Sequence, residues 1–346
     1  MRRWIKLSLV GVMVLGLVGY CARPAVTDWW VARQACGGVL PEGLVGRLLP
    51  EDKRLAEADE ETVESLGSYE CTVSYEGDDE AQRLFTVRAY THRDQQEQEL
   101  YRSFPKGGWS DLLTLPTDLP GFVDESERIQ FLQPCPALGQ DDEGRPRKML
   151  VTVSSPWARS DNVSGYLRVV IAAAGRASDR LGCGAEPLKQ PESGVRQAPR
   201  PVPAQQAADT ACGPVLGKLP KDTYAAQSGT DSGPVRGCSL YVETEQERQQ
   251  SWYVSDEELE DPDAGLRAWY GDWSNRFVHE DGQRLSNTVT ARCDGENANF
   301  AAWAGDESGI SAAELRDLVL TFAKSQAERR GCTDVRAVPT GTAERS

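Results

Sequence analysis

Two segments of the sequence repeat one pattern, an amphipathic helix that ends at Gly-Cys. They are residues 164–183 (SGYLRVVIAAAGRASDRLGC) and 311–332 (SAAELRDLVLTFAKSQAERRGC). In each segment the apolar residues recur three and four positions apart, which places them on one face of a helix. Gly182 and Gly331 lie where a left-handed helix end favours a residue without Cβ. Since the closing helix occurs twice, the chain is predicted to contain two domains.

The second copy also carries a signal for its first turn. Ser311 and Glu314 fit the S-x-x-E capping box, in which two unpaired backbone donors are satisfied reciprocally. The residues predicted to face a core are Tyr166, Val169, Val170, Ala173 and Ala174 in the first copy, and Leu315, Leu318, Val319, Phe322 and Ala323 in the second.

The cysteines divide in the same way. Apart from Cys21, eight cysteines remain, four in each half of the chain. Even sets of cysteines in exported chains usually form disulfides, and the two histidines have no C-x-x-C pair to complete a zinc site. Each set allows three pairings. We favour the pairing that ties the opening helix to the first strand and the third strand to the closing helix. The predicted bonds are Cys36–Cys71, Cys135–Cys183, Cys212–Cys238 and Cys293–Cys332.

The residues around the cysteines align the two halves. Residues 35–40 (ACGGVL) match 211–216 (ACGPVL), and residues 70–75 (ECTVSY) and 238–242 (CSLYV) both alternate like strands. Each half is predicted to run helix, strand, strand, helix, strand, strand, helix. The fold class is therefore α+β: an N-terminal transmembrane helix and two tandem disulfide-stapled repeats, each an antiparallel sheet with helices on one face.

Aromatic residues mark the middle helix of each half. Leu266, Trp269, Tyr270 and Trp273 lie at positions i, i+3, i+4 and i+7, which predicts a helix facing a core and corresponding to residues 100–104 in the first half. A platform for a sugar or a peptide is the alternative use of these rings.

The segment between the halves has the composition of a linker. Residues 184–209 contain five prolines and few apolar residues, so we expect a semi-rigid spacer and domains that need not touch. The predicted domains are 23–183 and 210–334, and 335–346 is predicted to be a disordered tail.

The first residues indicate a membrane anchor. Three basic residues within 1–6 precede an apolar run of 16 residues at 7–22. This length lies between a signal-peptide core of about 7–15 residues and a spanning helix of about 20. The basic flank predicts a cytoplasmic stub at 1–6 and places the chain from residue 23 outside the membrane. We favour an uncleaved signal anchor because no clean A-x-A site follows, with a cleaved signal or a lipidated Cys21 as alternatives.

Two adjacent tryptophans follow the apolar run. Trp29 and Trp30 either lie at the outer membrane interface, where tryptophan is enriched, or open the first helix and pack in its core. The sequence leaves both locations open.

Charge limits the possible partners. The chain has 38 basic and 53 acidic residues and a net charge of −15 at pH 7. A surface this acidic repels phosphate backbones, so no nucleic-acid partner is expected. No cofactor is expected either, since no glycine-rich phosphate loop occurs.

One constellation suggests an enzyme. Ser103 and Lys106 fit S-x-x-K and residues 160–162 fit S-D-N, as in penicillin-binding proteins and β-lactamases. However, Pro105 opposes a helix through Lys106, the K-T-G motif is absent, and Ser160 lies where a loop enters a helix and supplies caps. The acidic run 256–263 lacks the ligand spacing of a calcium loop.

The C-G-x-V-L opening at 36–40, the strand cysteine and the helix before Gly-Cys resemble exported and membrane-anchored actinobacterial proteins with duplicated four-cysteine α+β domains. They are more loosely similar to domains of cell-envelope lipoproteins and of extracytoplasmic kinase sensors. The resemblance implies a location at the cell envelope, and its motifs are structural, so it implies no catalytic residue.

The sequence therefore predicts a single-pass protein of the cell membrane that binds or scaffolds envelope components without catalysis. The membrane itself is the expected partner of the N-terminal helix. The alternatives are an envelope serine enzyme that uses Ser103, Lys106 and Ser160, and an extracytoplasmic sensor whose solute lies between the domains.

The topology can be measured directly. A reporter fused after Ser346 is expected to be active only outside the cytoplasm, because the basic flank of residues 1–6 stays inside. The full chain should remain with the membranes after a salt wash. Release of a soluble form that begins near Arg23 would contradict the uncleaved anchor.

Overall fold

The fold is α+β, with two antiparallel sheets and four disulfides. The computed structural model describes residues 26–338, except for 42, 79, 105–108, 110–111, 117–118, 156–162, 192–200, 220–222, 243–261, 278–286 and 306–307. We call residues 26–191 the first unit and residues 201–338 the second unit.

The first unit contains four helices and seven strands among its described residues. In chain order they are α1 (26–34), α2 (Leu44–Arg47), β1 (Leu55–Val63), β2 (Ser68–Glu76), β3 (Ala81–Tyr90), α3 (Arg93–Arg102), β4 (Leu113–Thr114), β5 (Gly121–Val123), β6 (Ile129–Pro134), β7 (Lys148–Ser154) and α4 (Val163–Arg180).

The second unit contains seven strands and two helices in the part that the structure describes. They are β8 (Val202–Pro203), α5 (Gly213–Leu216), β9 (Thr223–Gly229), β10 (Val235–Val242), β11 (Ala264–Tyr270), β12 (Thr288–Cys293), β13 (Glu296–Ala304), α6 (Ala312–Arg330) and β14 (Thr333–Ala337).

The two sheets share one topology. Five strands lie in the order β1-β2-β3-β7-β6 in the first unit and β9-β10-β11-β13-β12 in the second. The first unit extends this sheet beyond β6 with β5 and β4, whereas the second unit adds β8 beside β9 and β14 beside β12. The internal repeat is therefore visible in the order of the strands as well as in the cysteines.

The four disulfides have the predicted pairing. Cys36–Cys71 and Cys212–Cys238 tie the opening turns of each unit to the sheet, and Cys135–Cys183 and Cys293–Cys332 tie a strand to the end of the closing helix. The helix ends are also confirmed. Ser311 and Glu314 form the capping box, and Gly331 adopts the left-handed conformation with φ of +66°.

Each unit has a core between its sheet and its closing helix. α4 packs on one face of the first sheet and α6 on one face of the second. All ten residues predicted from the two helices to face a core are buried. The outward strand residues of each sheet lie on the opposite face.

The opposite faces of the two sheets meet in a third apolar cluster. The Phe104 ring lies 5.4 Å from Trp273 and 5.7 Å from Phe277, and the Tyr101 ring stacks on Phe277 at 5.3 Å between centroids. Leu150 of β7 joins the same cluster. The prediction that the units need not touch is therefore wrong, because residues of both units build this cluster. Leu100 places α3 on this side of the first sheet and α4 lies on the other, so the helices of the first unit are not all on one face, as was predicted.

The predicted middle helix of the second unit is a strand. Residues 264–270 form β11 and are all buried, and residues 272–274 form a 3₁₀ turn. Leu266 and Tyr270 face the helix side while Trp269 faces the first unit. A strand covered on both faces loses its alternation of apolar and polar residues, so the aromatic spacing imitated a helix. Trp269 and its neighbours are core residues, as predicted.

Two short strands lie in segments predicted to be irregular. Val202 and Pro203, inside the predicted linker, pair with β9. β14 includes residues 335–337 of the predicted disordered tail and pairs with β12. Both are edge strands, and the residues of β14 are largely exposed, so neither shows a hydrophobic pattern.

The two adjacent tryptophans belong to helix α1. They open the first unit as one alternative stated, but Trp29 is 54% and Trp30 56% exposed, so they do not pack in its core. The predicted anchor at 7–22 lies outside the described residues. Within the described part of the chain, none of the helices has the length and apolar composition needed to cross a membrane.

The contact between the units can be tested by cutting the linker. After proteolysis at a site placed within 192–200, the two pieces should still co-elute, because the rings of Phe104, Trp273 and Phe277 bury a shared cluster. The variant Trp273→Ala/Phe277→Ala should separate on size-exclusion chromatography. Trp29→Ala removes an exposed ring instead and should co-elute. Separation of the cut wild-type protein into two folded pieces would show that the units are independent.

Candidate functional site

Charged side chains of both units lie together at the boundary between the units. Helix α3 begins there, directly after β3, with His92 as its N-cap residue. The Gln96 side chain fixes this end, since its Nε2 donates to the carbonyls of Tyr90 at 2.8 Å and of Lys148 at 2.6 Å. The first turn of α3 and the start of β7 are thereby held side by side, and Arg93 and Lys148 face the second unit.

The second unit contributes Glu296 to this polar region. It follows a two-residue hairpin turn, Asp294 and Gly295, in which both residues have positive φ, at +51° and +79°. Asp-Gly is a favoured sequence for such a turn. The turn starts β13 at Glu296, whose side chain is only 5% exposed. A buried carboxylate of this kind needs cationic partners.

The first unit supplies those cations. Arg93 Nη1 pairs with Glu296 Oε1, and Lys148 Nζ lies 2.7 Å from Glu296 Oε2. Arg145 Nη1 lies 2.8 Å from Asp272 Oδ2 of the second unit. Three ion pairs therefore cross the boundary beside the aromatic cluster, and they fix the direction in which the units face each other.

The surroundings of Arg93 and Asp141 favour their ionised forms. Burial alone would lower the pKa of Arg93, but the Glu296 carboxylate raises it above its ordinary value. Partial burial would raise the pKa of Asp141, but hydrogen bonds from the Arg145 backbone and side chain hold it at about 2. Asp141 also pairs with Arg93 at 3.2 Å, so it joins the two arginines that reach the second unit.

A polar cavity of about 250 Å³ opens beside this network. It is lined by residues 91–94, Gln96, Asp141, Asp142, Arg147 and Lys148. Thr91 is the only hydroxyl residue among these nine, and its Oγ1 donates to the Gly67 carbonyl at 3.1 Å. The lining therefore combines cations, carboxylates and His92 and could hold a small polar solute.

Ser103, the nucleophile of the alternative enzyme, is 1% exposed. Its hydroxyl donates to the Glu99 carbonyl at 3.3 Å, accepts from Arg128 Nη2 at 3.3 Å and accepts from Gln130 Nε2. The structure thus places Ser103 at the end of α3 as part of a buried hydrogen-bond network that links the helix to β6.

Lys106, Ser160 and residues 256–261 of the acidic run lie outside the described residues. In the part of the chain that the structure describes, no group of three or more histidine, cysteine or acidic side chains could hold a metal ion.

Sequence reasoning missed the charged residues of the boundary. The three residues that pair across it, Arg93, Lys148 and Glu296, lie far apart in the chain. The sequence around each of them is that of an ordinary solvated surface. The one available signal was the Asp294-Gly295 pair between two strand patterns, which predicts a tight hairpin and would have located Glu296 at its end.

Searches against protein-family models, curated proteins and solved structures gave no match for this chain. Its activity is therefore inferred from its own residues.

Removing an anion from the ion network should lower the free energy of unfolding more than removing an anion from a surface ion pair. Glu296→Gln removes the anion that Arg93 and Lys148 share across the boundary, and we expect the free energy of unfolding to fall by about 3 kcal/mol. Glu143→Gln removes an anion that is 67% exposed and should cost less than about 1 kcal/mol. Urea denaturation of both variants measures the difference. Equal effects would show that Glu296 is no more than a surface charge.

Proposed function

We propose that the protein is anchored in the cell membrane and binds or scaffolds other envelope components outside the cytoplasm, without catalysis. The apolar run at 7–22 and the basic residues before it support the anchor. The four disulfides support an oxidising compartment.

The observation that carries the binding function is the closed contact between the units. Phe104, Trp273 and Phe277 are each at most 3% exposed, and their ring centroids lie 5.4–5.8 Å apart. Rings from both units occupy this part of the boundary, where a sensor of the hinged type would have an open cleft. Packed rings with ion pairs beside them oppose a hinge motion.

A rigid pair of stapled units suits a scaffold. Because the disulfides and the shared cluster fix the two sheets, the exposed surfaces of both units keep a constant spacing and orientation. When a partner binds to both units, the scaffold therefore loses little conformational entropy. The Ser103 enzyme has weaker support, since its serine hydroxyl is buried and fully engaged.

Cross-linking in intact cells tests this function. The full chain with a C-terminal tag, expressed in an actinobacterium and treated with a membrane-impermeant cross-linker, should yield a discrete complex with another envelope protein. Trp273→Ala/Phe277→Ala, which loosens the boundary, should reduce the yield of that complex several-fold, while Glu143→Gln should not. A yield that is unchanged by the double substitution, or no complex at all, would contradict a scaffold composed of both units.

The cavity beside Arg93 favours a second function, that of a solute sensor. Its volume of about 250 Å³ accommodates a small polar molecule, and Arg93 and Lys148 both line it and bind Glu296. A solute there would act directly on the pairs that join the units. If a low-molecular-weight fraction of the same cells raises the melting temperature of the wild-type protein but not of Arg147→Ala, the sensor is the better description.

A further inference from the structure

Helix α1 presents apolar residues on its outward side. One stripe along this side has residues at positions i, i+3, i+4 and i+7, which are Val26, Trp29, Trp30 and Arg33. Val26 is 58%, Trp29 54% and Trp30 56% exposed, and the Arg33 guanidinium lies 5.0 Å from the centroid of the Trp29 ring. A surface helix normally has polar residues on this side. We call these four residues the tryptophan stripe.

The opposite side of α1 is attached to the first unit. Val31 and Ala35 belong to its core, and Asp28 Oδ1 accepts a hydrogen bond from the Leu55 backbone amide at 3.2 Å. The next residue after Ala35 is Cys36, which is bonded to Cys71 in β2. The helix therefore cannot rotate to bury its tryptophans, and whatever covers the stripe also orients the whole unit.

The length of chain before α1 limits what can cover the stripe. The apolar run ends at Ala22, four residues before Val26. Even a fully extended chain covers no more than about 14 Å over four residues. Trp30 lies about 6 Å further along the helix. If the run crosses a bilayer, the stripe cannot be more than about 20 Å from the end of the hydrocarbon core, and it is closer when the chain is not extended.

We propose that the tryptophan stripe lies in the outer interfacial layer of the bilayer and holds the first unit against the membrane. This inference rests on the anchor proposed above. Tryptophan suits that layer because its ring is apolar and its N–H remains hydrated. Arg33 can keep its charge among the headgroups while its alkyl stem follows the Trp29 ring.

The stripe recognises the interface through its rings rather than through net charge. The chain carries a net charge of −15, which does not favour anionic headgroups. Contact should therefore occur on zwitterionic phosphatidylcholine and should persist at high salt, unlike an electrostatic association.

Quenching by brominated lipid locates the two rings. The full chain with Trp4→Phe, reconstituted in phosphatidylcholine vesicles, retains eight of its nine tryptophans. Bromine on the lipid chains should remove up to about a quarter of the emission, since two of these eight lie in the bilayer. Adding Trp29→Phe/Trp30→Phe should abolish the quenched fraction. Trp303→Phe, in β13 of the second unit, should leave that fraction intact.

The outcomes separate this inference from the anchor. Flotation of the protein with the vesicles, without quenching that depends on Trp29 and Trp30, would leave the anchor and overturn the inference. Failure to float would overturn both. If the full chain in detergent sediments as a dimer and Trp29→Ser/Trp30→Ser as a monomer, a second copy covers the stripe and the inference is wrong.

Discussion

The ring of Phe104 is the contact on which the arrangement of the two units most depends. Phe104 follows Ser103, the C-cap residue of α3, and its ring packs against Phe122 of its own sheet and against Trp273 and Phe277 of the second unit. Because these rings are buried, separating the units would expose them to water, and the cost grows with the apolar area exposed. The ion pairs of Glu296 and Asp272 lie beside the cluster and give it direction rather than most of its stability.

The second unit is adapted to this contact through its sheet. β10 and β11 carry glycine on the face toward the first unit, and a Cβ at Gly265 would lie 2.5 Å from the Trp303 Nε1. The missing side chain lets Trp303 lie across the strand, where Trp109 of the first unit meets its edge at 6.0 Å. The equivalent strand of the first unit, β3, has Thr86 and Arg88 on that face. The repeated topology therefore carries two different faces, and the contact is not one between equivalent surfaces.

The parts of the fold that were predicted correctly have local sequence signals. The closing helices were found because Ser311 caps one and Gly331 ends it, and the disulfides because each cysteine set has similar flanks. The predictions that were wrong depend on contacts between residues that are far apart in the sequence. The composition of the linker carries no information about whether the units on either side of it touch. No local sequence pattern indicates that Phe104 contacts Trp273. β11 resembled a helix for the same reason, since its burial on both faces follows from a contact that its own sequence does not encode.

The remaining surface explains why α1 stands out. At β2 and β3, on the face of the first sheet opposite α4, polar side chains satisfy one another: Arg88 pairs with Glu70 at 3.0 Å, and the hydroxyls of Thr72 and Thr86 lie 3.3 Å apart. Among the described residues only five large apolar side chains are exposed, and three of them belong to the tryptophan stripe. Scattered apolar residues need no explanation, whereas several on one face of one helix do. The polar side chains of β2 and β3 are paired, and packed rings fill the boundary between the units. The tryptophan stripe, close to the apolar run at 7–22, is therefore the clearest unpartnered surface of the described residues, and it lies where the proposed anchor would bring the membrane.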